Sequence, residues 1–355
     1  MAQSAALATK FKPRQMDEHP ILTRNSLTPR QKQVLDTLGR EKLVAMYRQM
    51  FQIRSFEQRC EQMYQQRKIA GFLHLYMGQE ALGVGFLSAA RPDDYVTTSY
   101  RDHGIALIRG VSATACMAEL FGRVDGCSRG KGGSMHFFSK EQNLLGGHGI
   151  VGGQTPIGLG AAFRAKYMGT DQVSLVMMGD GAVAEGTFHE CLNIAALWHL
   201  PAIFIIENNQ YGMGTAVGRA LSVHDLSVKA AGYGLEGITV DGMNLLDCYA
   251  VMEDAIAARR KNPSPILIEA KTYRYRGHSI SDPGTYRRKD EVEQYQRLDP
   301  IGQIRRLLDE LGWFGADDVK KLEQDVRAEI VKATEAADAS PEPDLAERDL
   351  HVLAP

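Results

Sequence analysis

The sequence predicts an α/β fold, a doubly wound and mainly parallel sheet with helices on both faces, and three observations carry the prediction. Apolar runs of strand length, 173–178 (VSLVMM), 202–207 (AIFIIE) and 265–270 (PILIEA), alternate with segments whose apolar residues recur at helical spacing. The first run breaks into the turn Gly179-Asp180-Gly181, and the second ends at Asn208-Asn209. Between them lies a helix-like stretch, 184–199, with Phe188, Cys191, Leu192, Ala195 and Trp198 on one face. A strand–helix–strand of this length is a right-handed crossover joining parallel strands, so both strands end at the same edge of the sheet.

The remaining elements follow in order. Residues 1–27 begin Ala-rich, with Lys10, Lys12 and Arg14 and no acid before Asp17, and read as a disordered tail with a faint resemblance to a transit peptide. A single α/β domain with a helical C-terminal extension is expected over 28–338. It starts with a long amphipathic helix over 40–67, whose apolar positions are Leu43, Met46, Tyr47, Met50, Ile53 and Phe56. A Gly-bounded loop over 71–78, a short helix over 79–89 and a strand over 95–98 come next. Tyr100-Arg101-Asp102-His103-Gly104 then sits at a helix start.

The zone 122–153 is rich in glycine and irregular, which permits close backbone approach to a ligand. It is no phosphate loop, because Gly130-Lys131 is followed by Gly132. Helices are expected over 154–167, 225–232, 245–260, 299–311 and 316–337, and a further strand over 238–240. The stretch 272–288 is a polar, Gly/Pro-punctuated loop, and 339–355 an acidic tail.

Composition narrows the function. A net charge of −2 without a basic stripe argues against nucleic acid, and no apolar run approaches the roughly 20 residues that span a bilayer. The five cysteines lack CxxC spacing and read as free thiols of a reducing compartment. A cytoplasmic location is expected, with the mitochondrial matrix as the alternative.

What remains is chemistry at the sheet edge. The predicted crossover puts Asp180 and Asn209 side by side at a helix N-terminus. One anionic oxygen and one amide oxygen suit Mg²⁺, which fills its octahedron with phosphate oxygens and water. The helix N-terminus adds free N–H groups for the phosphates. The residues alone therefore point to a metal–diphosphate site.

The stretch GDGAVAEGTFHECLNIAALWHLPAIFIIENNQYGMGT closely resembles the α subunits of the thiamine-diphosphate-dependent, heterotetrameric 2-oxo acid dehydrogenases. Five further stretches, GFLHLYMGQEA, TSYRDHG, GKGGSMH, GGHGIVGGQTPIGLG and RGHSISDPG, carry the same resemblance, which covers residues 43–301. It implies Mg²⁺ at Asp180, Asn209 and the backbone carbonyl of Tyr211. It implies that Gly181, Ala182, Tyr100 and Arg101 hold the diphosphate, and that Gly149 and Val151 seat the aminopyrimidine. His74 and His278 match two active-site histidines that also contact the cofactor.

The implied partners are an E1 β subunit in an α2β2 assembly and a lipoylated E2 acceptor. The carboxylate expected on the cofactor's pyrimidine falls to the β subunit in this family, and a chain of 355 residues is short for both cofactor-binding domains. Glu80 is expected to be structural, as are His103, His136 and His148. GKGGSMH and GGHGIVGGQ resemble the pyruvate branch, with acetoin and branched-chain 2-oxo acid enzymes as the alternatives. Ser279 matches a serine phosphorylated in mitochondrial members, whereas the local reading is that Ser279 and Ser281 pin their loop.

Overall fold

The structure, a computed structural model, describes residues 21–350. Residues 1–20 and 351–355, parts of the two expected tails, lie outside the described residues. Its centre is a six-stranded, all-parallel sheet. The strands are β1 (Tyr95–Ser99), β2 (Leu144–His148), β3 (Ser174–Gly179), β4 (Ala202–Asn208), β7 (Glu236–Asp241) and β8 (Ile266–Lys271), with a small hairpin, β5 (Tyr211–Gly212) and β6 (Thr215–Ala216), beyond β4. Their spatial order is β2-β1-β3-β4-β8-β7. Winding therefore reverses between β1 and β3, since β1 is followed by β2 on one side and by β3 on the other. Open α/β sheets bind ligands at the carboxyl ends of the strands at such a reversal.

The central crossover is as the sequence predicts. β3 and β4 pair in parallel with Gly179 opposite Glu207, so Asp180 and the Asn208-Asn209 pair leave the sheet at one level. Side chains alternate along these strands. Leu175, Met177, Ile203 and Ile205 join one buried cluster, and Val176, Met178, Phe204 and Ile206 join another on the opposite face. Burial on both faces explains why these strands read as unbroken apolar runs.

The first face is covered by the larger share of the chain. It carries α1 (Pro29–Gln65), α2 (Glu80–Leu87), α3 (His103–Ile108) and α4 (Ala113–Leu120). The second face is covered mainly by α5 (Gln154–Tyr167) and α6 (Gly186–Leu197). Returning to the first face, α7 (Leu245–Lys261) packs on α2, while α8 (Lys289–Arg297), α9 (Pro300–Glu310) and α10 (Ala316–Ala339) complete that layer. The first helix begins well before residue 40. Thr28 and Gln31 form a capping box, and Gly39, at φ 62°, introduces a break that a residue with a Cβ would enter only with strain.

Three other segments differ from their sequence reading. Residues 21–27, placed in the N-terminal tail, are packed. Leu22 and Leu27 are buried, and the Leu22 N–H donates to Gln303 Oε1 at 3.0 Å. The zone 122–153 contains β2, whose sequence LLGGH has no period to reveal it. Part of the acidic tail is strapped across the glycine-rich stretch, with Val124 N–H on Pro341 O at 3.0 Å and Arg129 on Glu347 at 2.5 Å.

That glycine-rich stretch encloses a ligand of the chain's own. The fully buried Glu119 carboxylate accepts the N–H groups of Ser128, Gly130, Gly132 and Gly133 at 2.7–3.1 Å. Gly126 is forced by the same contact, because a Cβ there would meet Glu119 Oε2 at 2.3 Å.

Candidate active site

Five segments meet at the carboxyl edge of the sheet. β1 delivers Tyr100 and Arg101, β3 delivers Asp180-Gly181-Ala182, and β4 delivers Asn209 and Tyr211. The 71–78 loop brings His74 and the 272–288 loop brings His278. Residues separated by two hundred positions thus become neighbours. The rings of His74 and Tyr100 lie 4.7 Å apart, those of His74 and His278 5.0 Å, and those of Tyr100 and His278 5.4 Å.

Arg101 holds the two histidine loops against each other. Its Nη1 donates to Leu75 O at 2.7 Å and its Nη2 to His278 O at 3.0 Å. The guanidinium is buried, which makes its charge costly and keeps its pKa below the usual arginine value. Burial and the Arg101 charge act in the same direction on the histidines. They lower His74 to about 2, and burial, Arg101 and Arg274 lower His278 to about 4. Both imidazoles are therefore neutral at physiological pH. Nδ1 of each is buried without a hydrogen-bond partner, as is Gln79 Nε2.

Below this cluster lies an oxygen-rich cradle. Asp180 is buried at the start of a 3-10 turn, and burial pushes its carboxyl up to about 6 against the pull of nearby N–H groups and Arg274. Asn209 Nδ2 donates to Gln79 Oε1 at 3.0 Å, which fixes the amide and leaves Oδ1 as the acceptor facing inward. Arg274 Nη1 donates to that Oδ1 at 3.1 Å and to Tyr211 O at 2.6 Å. Two of the three oxygens expected to ligate a metal thus converge on one buried cation. The other nitrogen of Arg274, Nη2, donates to Met213 O at 2.5 Å and to Tyr286 OH at 2.7 Å.

Arg274 is the site residue that sequence reasoning missed. An arginine among arginines in YRYRG reads as surface, yet this side chain is 1% exposed. The only available signal was its place in the loop that also carries His278.

The other expected residues are distributed as follows. Ala182 is buried and Gly181 exposed at the turn after β3. Gly149 is half-buried, while Val151 and the neighbouring Ile150 are exposed on a turn beyond β2. Glu80 is structural, since Arg54 holds both its oxygens, at 2.5 and 2.9 Å, and the Gly78 N–H donates to one of them. Ser279 is buried with its Oγ 2.9 Å from Ser281 Oγ, as a loop pin would be. His136 and His148 each hydrogen-bond a main-chain carbonyl, of Gly147 and Leu145.

Comparison with known proteins places this geometry. A family model described as "Dehydrogenase E1 component" matches residues 48–346. The chain is 47% identical over 308 residues to the pyruvate dehydrogenase E1 component subunit alpha of Rhizobium meliloti strain 1021, covering 86% of this chain and 88% of that protein. Identity to the same-named subunit of Zymomonas mobilis is 45%, covering 86% of each. Against the chloroplastic subunit alpha-3 of Arabidopsis thaliana it is 43%, covering 86% of this chain and 73% of the relative.

Proposed function

This chain belongs to the dehydrogenase E1 component family, and from that premise we propose that it is the α subunit of a pyruvate dehydrogenase E1. The complete enzyme would oxidatively decarboxylate pyruvate and transfer the acetyl group to a lipoyl group on E2. The observation that carries the reading is the cradle at the carboxyl ends of β3 and β4, beside the winding reversal. Asn209 Oδ1 and Tyr211 O already converge on a buried cation beside Asp180, and His74 and His278 face each other directly above.

The donor set fits Mg²⁺ and a diphosphate. Asp180, Asn209 and the Tyr211 carbonyl offer three hard oxygens, and Arg274 shows that a positive charge is stable among them. Gly181 and Ala182 offer amides at a turn, Tyr100 and Arg101 polar groups at the end of β1, and Gly149 and Val151 a partly apolar seat. Thiamine diphosphate held there would supply the chemistry that removes CO₂ from a 2-oxo acid.

The chain's own residues have defined work. Burial of Asp180 and Asn209 would hold their oxygens in place for the metal. The two neutral imidazoles exchange hydrogen bonds with the reacting groups without adding charge beside the guanidinium groups of Arg101 and Arg274. Each has an unsatisfied Nδ1 available for that purpose. Arg274 Nη1 donates to the two oxygens, of Asn209 and Tyr211, that would hold the metal together with Asp180.

The β partner is supported by the exposed apolar surface around α5 and α6. Phe163 stacks on Tyr167 with centroids 5.8 Å apart and meets Trp198 at 5.7 Å, and Ile157, Met168 and Leu197 are also exposed. A surface of this kind marks an interface. No helix among the described residues is long and apolar enough to cross a membrane.

The test is dye-coupled substrate oxidation by this chain co-purified with its β subunit, with Mg²⁺ and thiamine diphosphate present or withheld. Pyruvate, 2-oxoisovalerate and acetoin are compared at matched concentrations. Cofactor-dependent turnover favouring pyruvate is expected. Preference for either competitor would overturn the substrate, and turnover that ignores both cofactors would overturn the site.

A further inference from the structure

His74 sits on a loop without regular secondary structure, yet its main chain is held at every residue from 73 to 77. Leu73 O accepts from Ile280 N–H at 2.9 Å and Met77 O from Tyr275 N–H at 3.0 Å. Leu75 O accepts from Arg101, as above. The two remaining groups lead to one buried unit. The Tyr76 N–H donates to Glu57 Oε1 at 2.8 Å, and the His74 N–H donates to Ser134 Oγ at 3.2 Å.

Between Glu57 and Ser134 stands His103. Its Nδ1 lies 2.9 Å from Glu57 Oε2 and its Nε2 2.9 Å from Ser134 Oγ. Glu57 and His103 are fully buried and Ser134 nearly so, with the imidazole between Phe137 and Phe56 at 5.1 and 6.2 Å. His103 Nδ1–H donates to the carboxylate, and Nε2 faces both Ser134 Oγ and, at 3.2 Å, the Ser134 carbonyl. The hydroxyl oxygen accepts the His74 N–H.

Apolar residues of similar volume would fill this space at less desolvation cost. Glu57, His103 and Cys60 also lie close enough together to suggest a metal, their ligand atoms falling within 4.8 Å. Both oxygens of Glu57 and both nitrogens of His103 already have protein partners, which argues against that use.

We propose that Glu57, His103 and Ser134 form a positioning relay, anchored on α1, that sets the His74 imidazole through its main chain. None of the three is among the residues proposed to hold the cofactor. The inference rests on His74 lining the thiamine diphosphate site, and the test separates the two claims.

The experiment measures carbethoxylation of individual histidines by diethylpyrocarbonate, read by peptide mass analysis on the chain assembled with its β subunit. Ser134→Ala is compared with the unmodified chain, and His103→Gln serves as a second variant should the first fail to assemble. The His74 rate is expected to rise about threefold to tenfold, the scale of one lost hydrogen bond, while the His278 rate stays unchanged. A general loosening would move both histidines together, and that result, or no change at His74, would overturn the relay. Protection of His74 by Mg²⁺ and thiamine diphosphate in the unmodified complex is the separate check. Its absence would overturn the cofactor reading.

Discussion

The two faces of the central sheet are finished to different degrees. On one, α1 carries a continuous row of buried residues, from Leu43 to Phe56 and Cys60, and α9 and α10 close over it from outside. On the other, α5 and α6 form a single layer whose inner side is apolar and whose outer side carries an exposed apolar patch among polar residues. Phe163, Tyr167 and Trp198 lie there in mutual contact and exposed to solvent. The catalytic edge sits between these faces, and its rim at Ile150 and Val151 is exposed in the same manner. The lesson is that one face is closed by the chain's own helices, while the other leaves an apolar patch exposed, where the proposal seats the β subunit.

Substitutions on the two faces should therefore separate stability from assembly. Phe56→Ala on the closed face removes a fully buried ring and should cost ~3–5 kcal/mol of folding stability, measured by denaturant titration. Trp198→Asp on the open face should leave folding stability within ~0.5 kcal/mol. The same variant should weaken association with the β subunit by ~2 kcal/mol or more, measured by sedimentation or calorimetry. A Trp198→Asp chain that unfolds, or one that still binds β at full affinity, would break the distinction.

The smallest expected effect concerns the catalytic edge. Folding lowers the pKa of His74 to about 2, so the unfolded chain takes up a proton near pH 6.5 that the folded chain refuses. Stability should accordingly fall as pH drops, by ~1 kcal/mol between pH 6.5 and 5.5 from this residue. Comparing the pH dependence of stability for the native chain and His74→Gln isolates the contribution. An identical slope in both would show that His74 is not held neutral by its surroundings.

Legibility from sequence followed the physics of burial. β3 and β4 were legible because strands covered on both faces must be apolar throughout, and their ends then located Asp180 and Asn209. β2 was not, since LLGGH at the sheet edge carries neither alternation nor β-branched residues. Residues 21–27 looked like tail because two leucines have no period, and only Gln303 and the helices around it give them a place. The glycine-rich zone reads as open to close backbone approach by a ligand, and what its N–H groups enclose is the chain's own Glu119. Arg274 escaped notice because its four main-chain and side-chain oxygen partners, at Asn209, Tyr211, Met213 and Tyr286, come together only in the fold. Glu57 and Ser134 are invisible for the same reason, each meeting His103 from a remote segment.

The central claim, that this chain is one half of an active site, is tested most directly by reconstitution. Purified chain, purified β subunit and their mixture are assayed for pyruvate decarboxylation with saturating Mg²⁺ and thiamine diphosphate. The account predicts no turnover from either subunit alone and turnover on mixing that saturates at equimolar ratio. Decarboxylation by this chain alone at a rate comparable to the mixture would contradict it.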